Sequence, residues 1–293
     1  MDIIFNINPL GMEGLGATLT SLIRNCSDSK ETKLWFLCSG LHERDKGNIR
    51  QLLQNENFEG IVEFVDFDAK KMFGHLRSLH GDWTNYGRLL IPAIVKSEFA
   101  LYLDKDLIIE SDILELKDFR TSKIMSAVCG SSVQYALENR FFTEKRKWHP
   151  DTGYLNSGVL MFNITLRNKE NVSIKVKEIA NRYSKEILSH DQTLLNAVCE
   201  GSFGYLPKEF NLPWYPGDPQ PASTTRAIIH FIGSPKPWDL FGKIIHEGYN
   251  TRNAYNSPFW KSKYGKMSID KLIRTWMIQR SIVKNLKIKL TAR

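Results

Sequence analysis

The sequence predicts an α/β fold, a parallel sheet wound with helices and followed by a basic helical tail. Three observations carry that expectation. Between residues 2 and 67, short apolar runs alternate with amphipathic stretches three times, the pattern of a parallel sheet wound with helices. Residues 99–109 form a second kind of signal, an apolar run without Gly or Pro that is broken only by Asp104-Lys105-Asp106. Such a run reads as a buried strand. Finally, from Lys261 to Arg293 ten Lys or Arg stand against the single acid Asp270, which leaves the rest of the chain close to neutral.

The chain has 293 residues, enough for a sizeable core in one large domain or two smaller ones. Hydrophobic residues at 42% and charged residues at 25% are those of a globular rather than a disordered or fibrous chain. Cys26, Cys38, Cys129 and Cys199 show neither a C-x-x-C pair nor zinc spacing, so they are expected to be reduced and buried in a cytoplasmic protein. The start, Met1-Asp2-Ile3-Ile4-Phe5, has no basic region, and no window offers about 18 consecutive apolar residues. Neither a signal peptide nor a spanning helix is expected. The expected division is a globular domain over 1–258 and a basic amphipathic segment over 259–293.

In chain order, residues 2–7 read as the first strand and Asn8-Pro9-Leu10-Gly11 as a turn. Residues 15–23 follow as a helix with Leu15, Leu19 and Leu22 on one stripe. Residues 33–39 and 60–67 are the next strands, with a helix over 42–53 between them. No G-x-G-x-x-G follows the first strand, so a dinucleotide fingerprint is absent. Residues 83–92 read as an amphipathic helix in which Arg88 adjoins Leu89, Leu90 and Ile91. That arginine either snorkels to the surface or pairs with a buried carboxylate. Residues 126–132 read as a strand, 139–151 as a polar, aromatic loop, 154–163 as a small polar bend leading into a strong strand, and 172–183 as a helix. A helix opening at His190-Asp191-Gln192 has Ser189 or His190 as its cap. Residues 207–221, rich in Pro and aromatics, read as an ordered loop, and 226–238 as a short strand ending in His230, Gly233 and a Pro-stiffened Lys236.

Asp104 and Asp106 share one side of an extended chain while Lys105 points away. They either cap and solvate a strand end or hold a cation, because two adjacent carboxylates are costly without one. A hard divalent ion bound through oxygen fits. His230 is either a core histidine or a third ligand, and two carboxylates with one imidazole suit manganese. Lys236 supplies a point charge for a phosphate. Asp191 is either a helix-start acid or a site residue. Gly158 either admits a ligand or relieves crowding.

These motifs, in the order Tyr86-Gly87-Arg88-Leu89, Asp104-Lys105-Asp106, Leu155-Asn156-Ser157-Gly158-Val159, His190-Asp191-Gln192 and His230-Phe231-Ile232-Gly233-Ser234-Pro235-Lys236-Pro237-Trp238, resemble the family 8 glycosyltransferases over about residues 1–245. The resemblance implies a GT-A fold with a Rossmann-like mixed central sheet flanked by helices, a UDP-sugar donor, Mn²⁺ or Mg²⁺, and hexose transfer with retention to a lipid-linked or protein-linked glycan, as in bacterial lipopolysaccharide galactosyl- and glucosyltransferases. It implies Asp104, Asp106 and His230 as metal ligands. Asn6, Asn8, Arg88, Lys105, Asn156, Ser157, Asp191, Gln192, Gly233 and Lys236 would bind the donor with the Asp pair, and Arg88, Asp191 and Gln192 would be catalytic. Two departures stand out. Asn8 occupies the place of an Asp that commonly contacts uracil, where an amide still hydrogen-bonds a base. Gly130 stands where a related transferase has an Asp near the sugar.

Two other classes compete. A haloacid-dehalogenase-type phosphohydrolase also places D-x-D after a strand, but near the N-terminus and with Thr or Val where this chain has Ile108. A non-catalytic transferase-like binding protein would not need Asp104, Asp106, Asp191, His230 and Lys236 intact. In the tail, Ile269, Leu272, Ile273, Trp276, Met277, Val283, Leu286 and Leu290 interleave with Lys271, Arg274, Arg280, Lys284, Lys287 and Lys289. This reads as a basic helix on the anionic inner face of the cell membrane; the alternatives are a solvated tail or a helix packed on the body. No recognised module accompanies it for nucleic acid, which is not an expected partner.

Overall fold

The structure, a computed structural model, describes residues 1–223 and 226–291. Its centre is a seven-stranded sheet built from β1 (Asp2–Ile7), β2 (Lys33–Cys38), β3 (Ile61–Asp66), β4 (Phe99–Leu103), β6 (Met125–Ser132), β7 (Gly153–Asn163) and β8 (Gly204–Tyr205). A smaller sheet joins β5 (Leu107–Ile109), β10 (Ile228–Phe231) and β9 (Leu212–Trp214) in that order. The large sheet runs β3-β2-β1-β4-β7-β6-β8. Strands β1 to β4 are parallel, while β7 is antiparallel to both β4 and β6.

The chain builds outward from β1 through β2 to β3, then crosses back to lay β4 on the other side of β1. That reversal opens a crevice at the carboxyl ends of β1 and β4, the usual ligand position in such sheets. Asn8 and Asp104 follow those two ends. Both faces are covered, one by Leu15, Leu19 and Leu22 of helix Met12–Asn25. On the other face Leu194 and Leu195 of helix Asp191–Cys199 pack with Tyr102 and Leu160. Helices Glu43–Asn55 and Val172–Arg182 fall where the apolar periodicity places them.

Several local expectations are corrected. Residues 99–109 are two strands in two sheets, so the Asp pair sits at the bend between them. Residues 83–92 are not one α-helix but a 3₁₀ segment, Thr84–Leu90, followed by the turn Ile91–Ile94. Here the Asn6 amide donates to the Thr84 carbonyl, diverting an oxygen that an α-helix would use itself. The loop at 139–151 contains a π-helical turn, Phe141–Lys145, because Phe142 is fully buried and stacks on Trp148 at 4.7 Å. Similarly, 207–221 holds the 3₁₀ turn Lys208–Asn211 and β9, anchored by buried Trp214. His190 is the cap residue of the helix at Asp191, as expected, but at a φ of 55° it makes no side-chain capping bond. Cys38 and Cys199 are buried as expected, but Cys129 is exposed and Cys26 half-buried.

Helix Pro258–Tyr264 is part of the packed body. Trp260 is 0% exposed, donates to the Met12 carbonyl at 2.8 Å, and lies where a Cβ on Gly16 would meet it at 2.1 Å. Beyond it the tail forms two helices, Ile269–Met277 and Gln279–Thr291. Ile278 and Ile282 pack on Ile245. Lys271 pairs with Glu13, Arg274 with Asp239 and Lys289 with Glu247, while Ile269, Leu272, Trp276, Val283 and Leu290 remain exposed. No helix among the described residues is long and apolar enough to cross a membrane.

Candidate active site

The bend after β4 sets the site. The Asp104 N–H donates to the Gly158 carbonyl at 2.9 Å, extending the β4–β7 pairing by one residue and holding the carboxylate at the sheet edge. Asp106 follows with its side chain on the same side, and β10 brings His230 opposite Leu107. His230 Nε2 then lies 3.9 Å from Asp104 Oδ2 and 3.5 Å from Asp106 Oδ1. Ligand atoms of the three residues fall within 4.8 Å of one another, the only such His, Cys or carboxylate cluster among the described residues.

A relay of side-chain amides orients the imidazole. Asn156 Oδ1 accepts from the Gly158 N–H at 2.9 Å and from Asn211 Nδ2 at 2.8 Å. Asn211 Oδ1 lies 2.9 Å from His230 Nδ1. That oxygen can only accept, so Nδ1 donates to it and Nε2 faces the carboxylates, the orientation from which a histidine can ligate a metal. Gly158 is required by crowding: a Cβ there would sit 2.3 Å from His230 Cε1.

Charge compensation comes from two cations. Lys236 Nζ lies 2.6 Å from Asp106 Oδ2 and also donates to the Phe231 carbonyl. Burial pushes the Asp106 carboxyl up, but Lys236 first, then His230 and Lys105, outweigh it and hold the group well below the usual carboxylate range. Arg88 takes the buried-pair alternative. Its Nη2 is 2.9 Å from Asp104 Oδ1, its Nε 2.9 Å from Asp191 Oδ2, and its Nη1 donates to the Ser157 carbonyl at 2.5 Å. Burial works against the Arg88 charge, yet Asp104 and Asp191 outweigh it and raise the guanidinium above its ordinary value. Asp191 Oδ2 makes no hydrogen bond among the described residues, so its contact with Arg88 is coulombic; Oδ1 accepts from Asn85 at 2.8 Å. Burial, reinforced by Asp104, pushes the Asp191 carboxyl above its usual range despite Arg88 and Asn85.

A cavity of about 500 Å³ gathers Asp104, Asn156, Ser157, Gln192, His230, Gly233 and Lys236. Gln192 Oε1 accepts from the Ser157 N–H at 3.0 Å, tying the helix start to β7. Asp191 and Arg88 do not line this cavity and act on it through Asp104 and Ser157. Asn6, Asn8, Lys105 and Asp106 are also outside its wall, Asp106 meeting the wall residues His230 and Lys236 from behind. Asn6 is buried beneath Thr84. Asn8 caps the turn Pro9–Gly11 and donates to Asp82 at 2.7 Å, while the stem of Lys105 lies over Gly11.

Sequence reasoning missed Asn85, Asn211 and Tyr102, whose hydroxyl donates to Asp104 at 2.6 Å. It also missed Tyr135 and Tyr215 at the cavity, 77% and 47% exposed. Nothing in the local pattern distinguishes these from ordinary loop and core residues.

Comparison with known proteins follows the same geometry. The chain is similar to general stress protein A of Bacillus subtilis, 25% identical over 84% of this chain and 87% of that protein. It is 24% identical to the lipopolysaccharide 1,3-galactosyltransferase of Salmonella typhimurium, over 88% of this chain and 79% of the relative. Among solved structures, galactosyltransferase LgtC with donor and acceptor sugar analogues superposes at a TM-score of 0.73 with 20% identity. That match covers 92% of this chain and 98% of the other and identifies the architecture as GT-A. Residues 3–241 match the family described as Glycosyl transferase family 8, and the chain belongs to that family.

Proposed function

We propose that this protein transfers galactose or glucose from a UDP-sugar to a glycan acceptor, with retention of configuration and dependence on Mn²⁺ or Mg²⁺. The observation that supports this most is the convergence of Asp104, Asp106 and His230 on one point, with Lys236 beside them at the cavity. Two ionisable carboxylates and an imidazole lone pair fit a hard divalent cation. Bound there, the ion would supply positive charge to a departing diphosphate.

The chain's own residues would do the rest. Lys236 places a second cation where diphosphate charge grows. Arg88 fixes Asp104 and the Ser157 carbonyl, and Gln192 fixes the Ser157 N–H, so the sugar-facing wall is held by both its backbone groups. Asp191 is poorly suited to attack a sugar carbon, being 4% exposed, held by Asn85 and outside the cavity wall. Asp104 is the one carboxylate among the described residues that line the cavity. This favours a front-face route, in which the acceptor hydroxyl attacks on the side the UDP leaves and the departing phosphate oxygen takes its proton.

The family match displaces the phosphohydrolase reading. A non-catalytic relic is distinguished by experiment: UDP-galactose and UDP-glucose are incubated with Mn²⁺ and released UDP is measured. The wild-type protein should hydrolyse one of them, and Asp104→Asn and Asp106→Asn should lose at least about a hundredfold. No release by the wild-type protein, or full release by both variants, would refute the proposal.

The tail supports a second element of the same reading. Its exposed Ile269, Leu272, Trp276, Val283 and Leu290, with exposed Arg280, Lys284 and Lys287, suit attachment to an anionic membrane face. Lys271, Arg274 and Lys289 are engaged with the body's carboxylates and contribute less to it.

A further inference from the structure

Behind the candidate active site lies a second cavity that the proposed transfer does not use. It encloses about 300 Å³ and is walled largely by Phe73, Leu76, Leu89, Leu90, Val176 and Leu194. Arg167, from the short helix Ile164–Lys169, also lines it and is 1% exposed. The guanidinium lies over Phe162, with 4.7 Å from its central carbon to the ring centre. Arg167 Nε and Nη1 have no hydrogen-bond partner among the described residues. Burial lowers its pKa to about 10, and among the described residues the one group opposing that shift is the Cys199 thiol, not a carboxylate. Arg167 therefore stays charged at neutral pH. A buried cation without a counter-charge is an expensive arrangement that folded chains ordinarily pair or remove.

The geometry points to a ligand that completes it. We propose that this cavity binds an amphiphilic monocarboxylate, its head group against Arg167 and its apolar body along Phe73, Leu76, Leu90 and Leu194. A guanidinium is the side chain best matched to a carboxylate, and one buried positive charge calls for one negative charge. A phosphomonoester would bring about −1.5 to −2 and leave a surplus at the inner end. The other basic residues on the wall, His75 and Lys177, are exposed and keep their own water. At about 30 Å³ for each water-sized unit of liquid, the cavity holds about ten heavy atoms, an acid of about eight carbons. Leu89 and Leu90 directly follow Arg88, and Leu194 is one helical turn from Asp191. An occupant would rest against the backs of the two elements that carry those residues.

The test titrates the full chain with octanoate, octanol and octyl phosphate, following heat by calorimetry and Tm by thermal unfolding. Octanoate should bind saturably and raise Tm with concentration, and octanol should bind at least about tenfold more weakly, a difference of about 1.4 kcal/mol. Arg167→Met, which exchanges an unpaired buried charge for an apolar side chain, should fold and lose the octanoate response. Ala180→Phe fills the cavity without altering Arg167 and should lose it too, which keeps the test decisive if the first variant is unstable. Absence of saturable octanoate binding, equal binding of octanol, or an undiminished response in either folded variant would overturn the proposal. Tighter binding of octyl phosphate than of octanoate would overturn the carboxylate assignment.

Discussion

Replacing Arg88 by Met would strip two carboxylates, the partly exposed Asp104 and the buried Asp191, of the cation they share. Arg88 is 4% exposed and lies 2.9 Å from both Asp104 and Asp191. Asp104 keeps the Tyr102 hydroxyl and a 19% exposed side chain, so the larger cost falls on Asp191, 5% exposed and left with the Asn85 amide. Met preserves most of the packing over the Tyr102 ring, which the guanidinium now covers at 4.2 Å. The expected loss is therefore that of a broken buried ion pair, about 3–5 kcal/mol near neutral pH. Its pH dependence has a definite sign. Burial already holds the Asp191 carboxyl above its usual range, and without Arg88 it rises further. The folded variant then takes up a proton that the unfolded chain releases, so its stability falls as pH rises through the folded pKa and recovers toward acid. Urea unfolding at about pH 7.5 and about pH 5.5, each referred to wild type at that pH, should show the deficit shrinking in acid. Adding Asp191→Asn should restore about 2 kcal/mol at the higher pH by removing the stranded charge. A deficit below about 1 kcal/mol, one that is independent of pH, or a double variant no better than the single would refute the reasoning.

Gly158→Ala would drive a methyl into the imidazole, since its Cβ falls 2.5 Å from His230 Nδ1; kcat/KM should drop about a hundredfold through misplacement of His230, and unchanged kinetics would count against His230 as a site residue. Buried His246 accepts from the Gly248 N–H at 3.1 Å, and burial lowers its pKa from 6.5 to about 4. The neutral ring contributes stability that is full above pH 6.5 and lost as pH falls toward about 4, about 3 kcal/mol in all. In His246→Asn this part of the acid slope should vanish from urea titrations, and a slope equal to wild type would show that other groups carry it. Ile269→Glu with Trp276→Glu, both at exposed positions, should leave UDP release intact while weakening sedimentation with anionic vesicles about tenfold or more; undiminished sedimentation would remove the membrane role from the tail.

Much of this was legible in the chain because it is local. Alternation of apolar runs and Leu stripes located β1 to β3 and their helices, since a strand or helix face is written in periods of two or 3.6. The same alternation put Asp104 and Asp106 on one side at the end of an apolar run, and the short apolar run before His230 marked it as a strand residue. What the sequence could not reveal is which distant groups meet. The break of 99–109 into two sheets, the choice of Arg88 between solvent and two carboxylates, and the Asn156–Asn211–His230 relay all depend on partners from other elements. Asn6 looks like a residue at the mouth of a site, yet it lies beneath Thr84 and shapes the segment that carries Arg88. By itself the sequence determined the wound sheet and the ligand types at its edge, because those follow from backbone period and side-chain chemistry. Only the tertiary structure decided how their charges are balanced, because that balance depends on distances of a few ångströms between residues up to 130 positions apart in the chain.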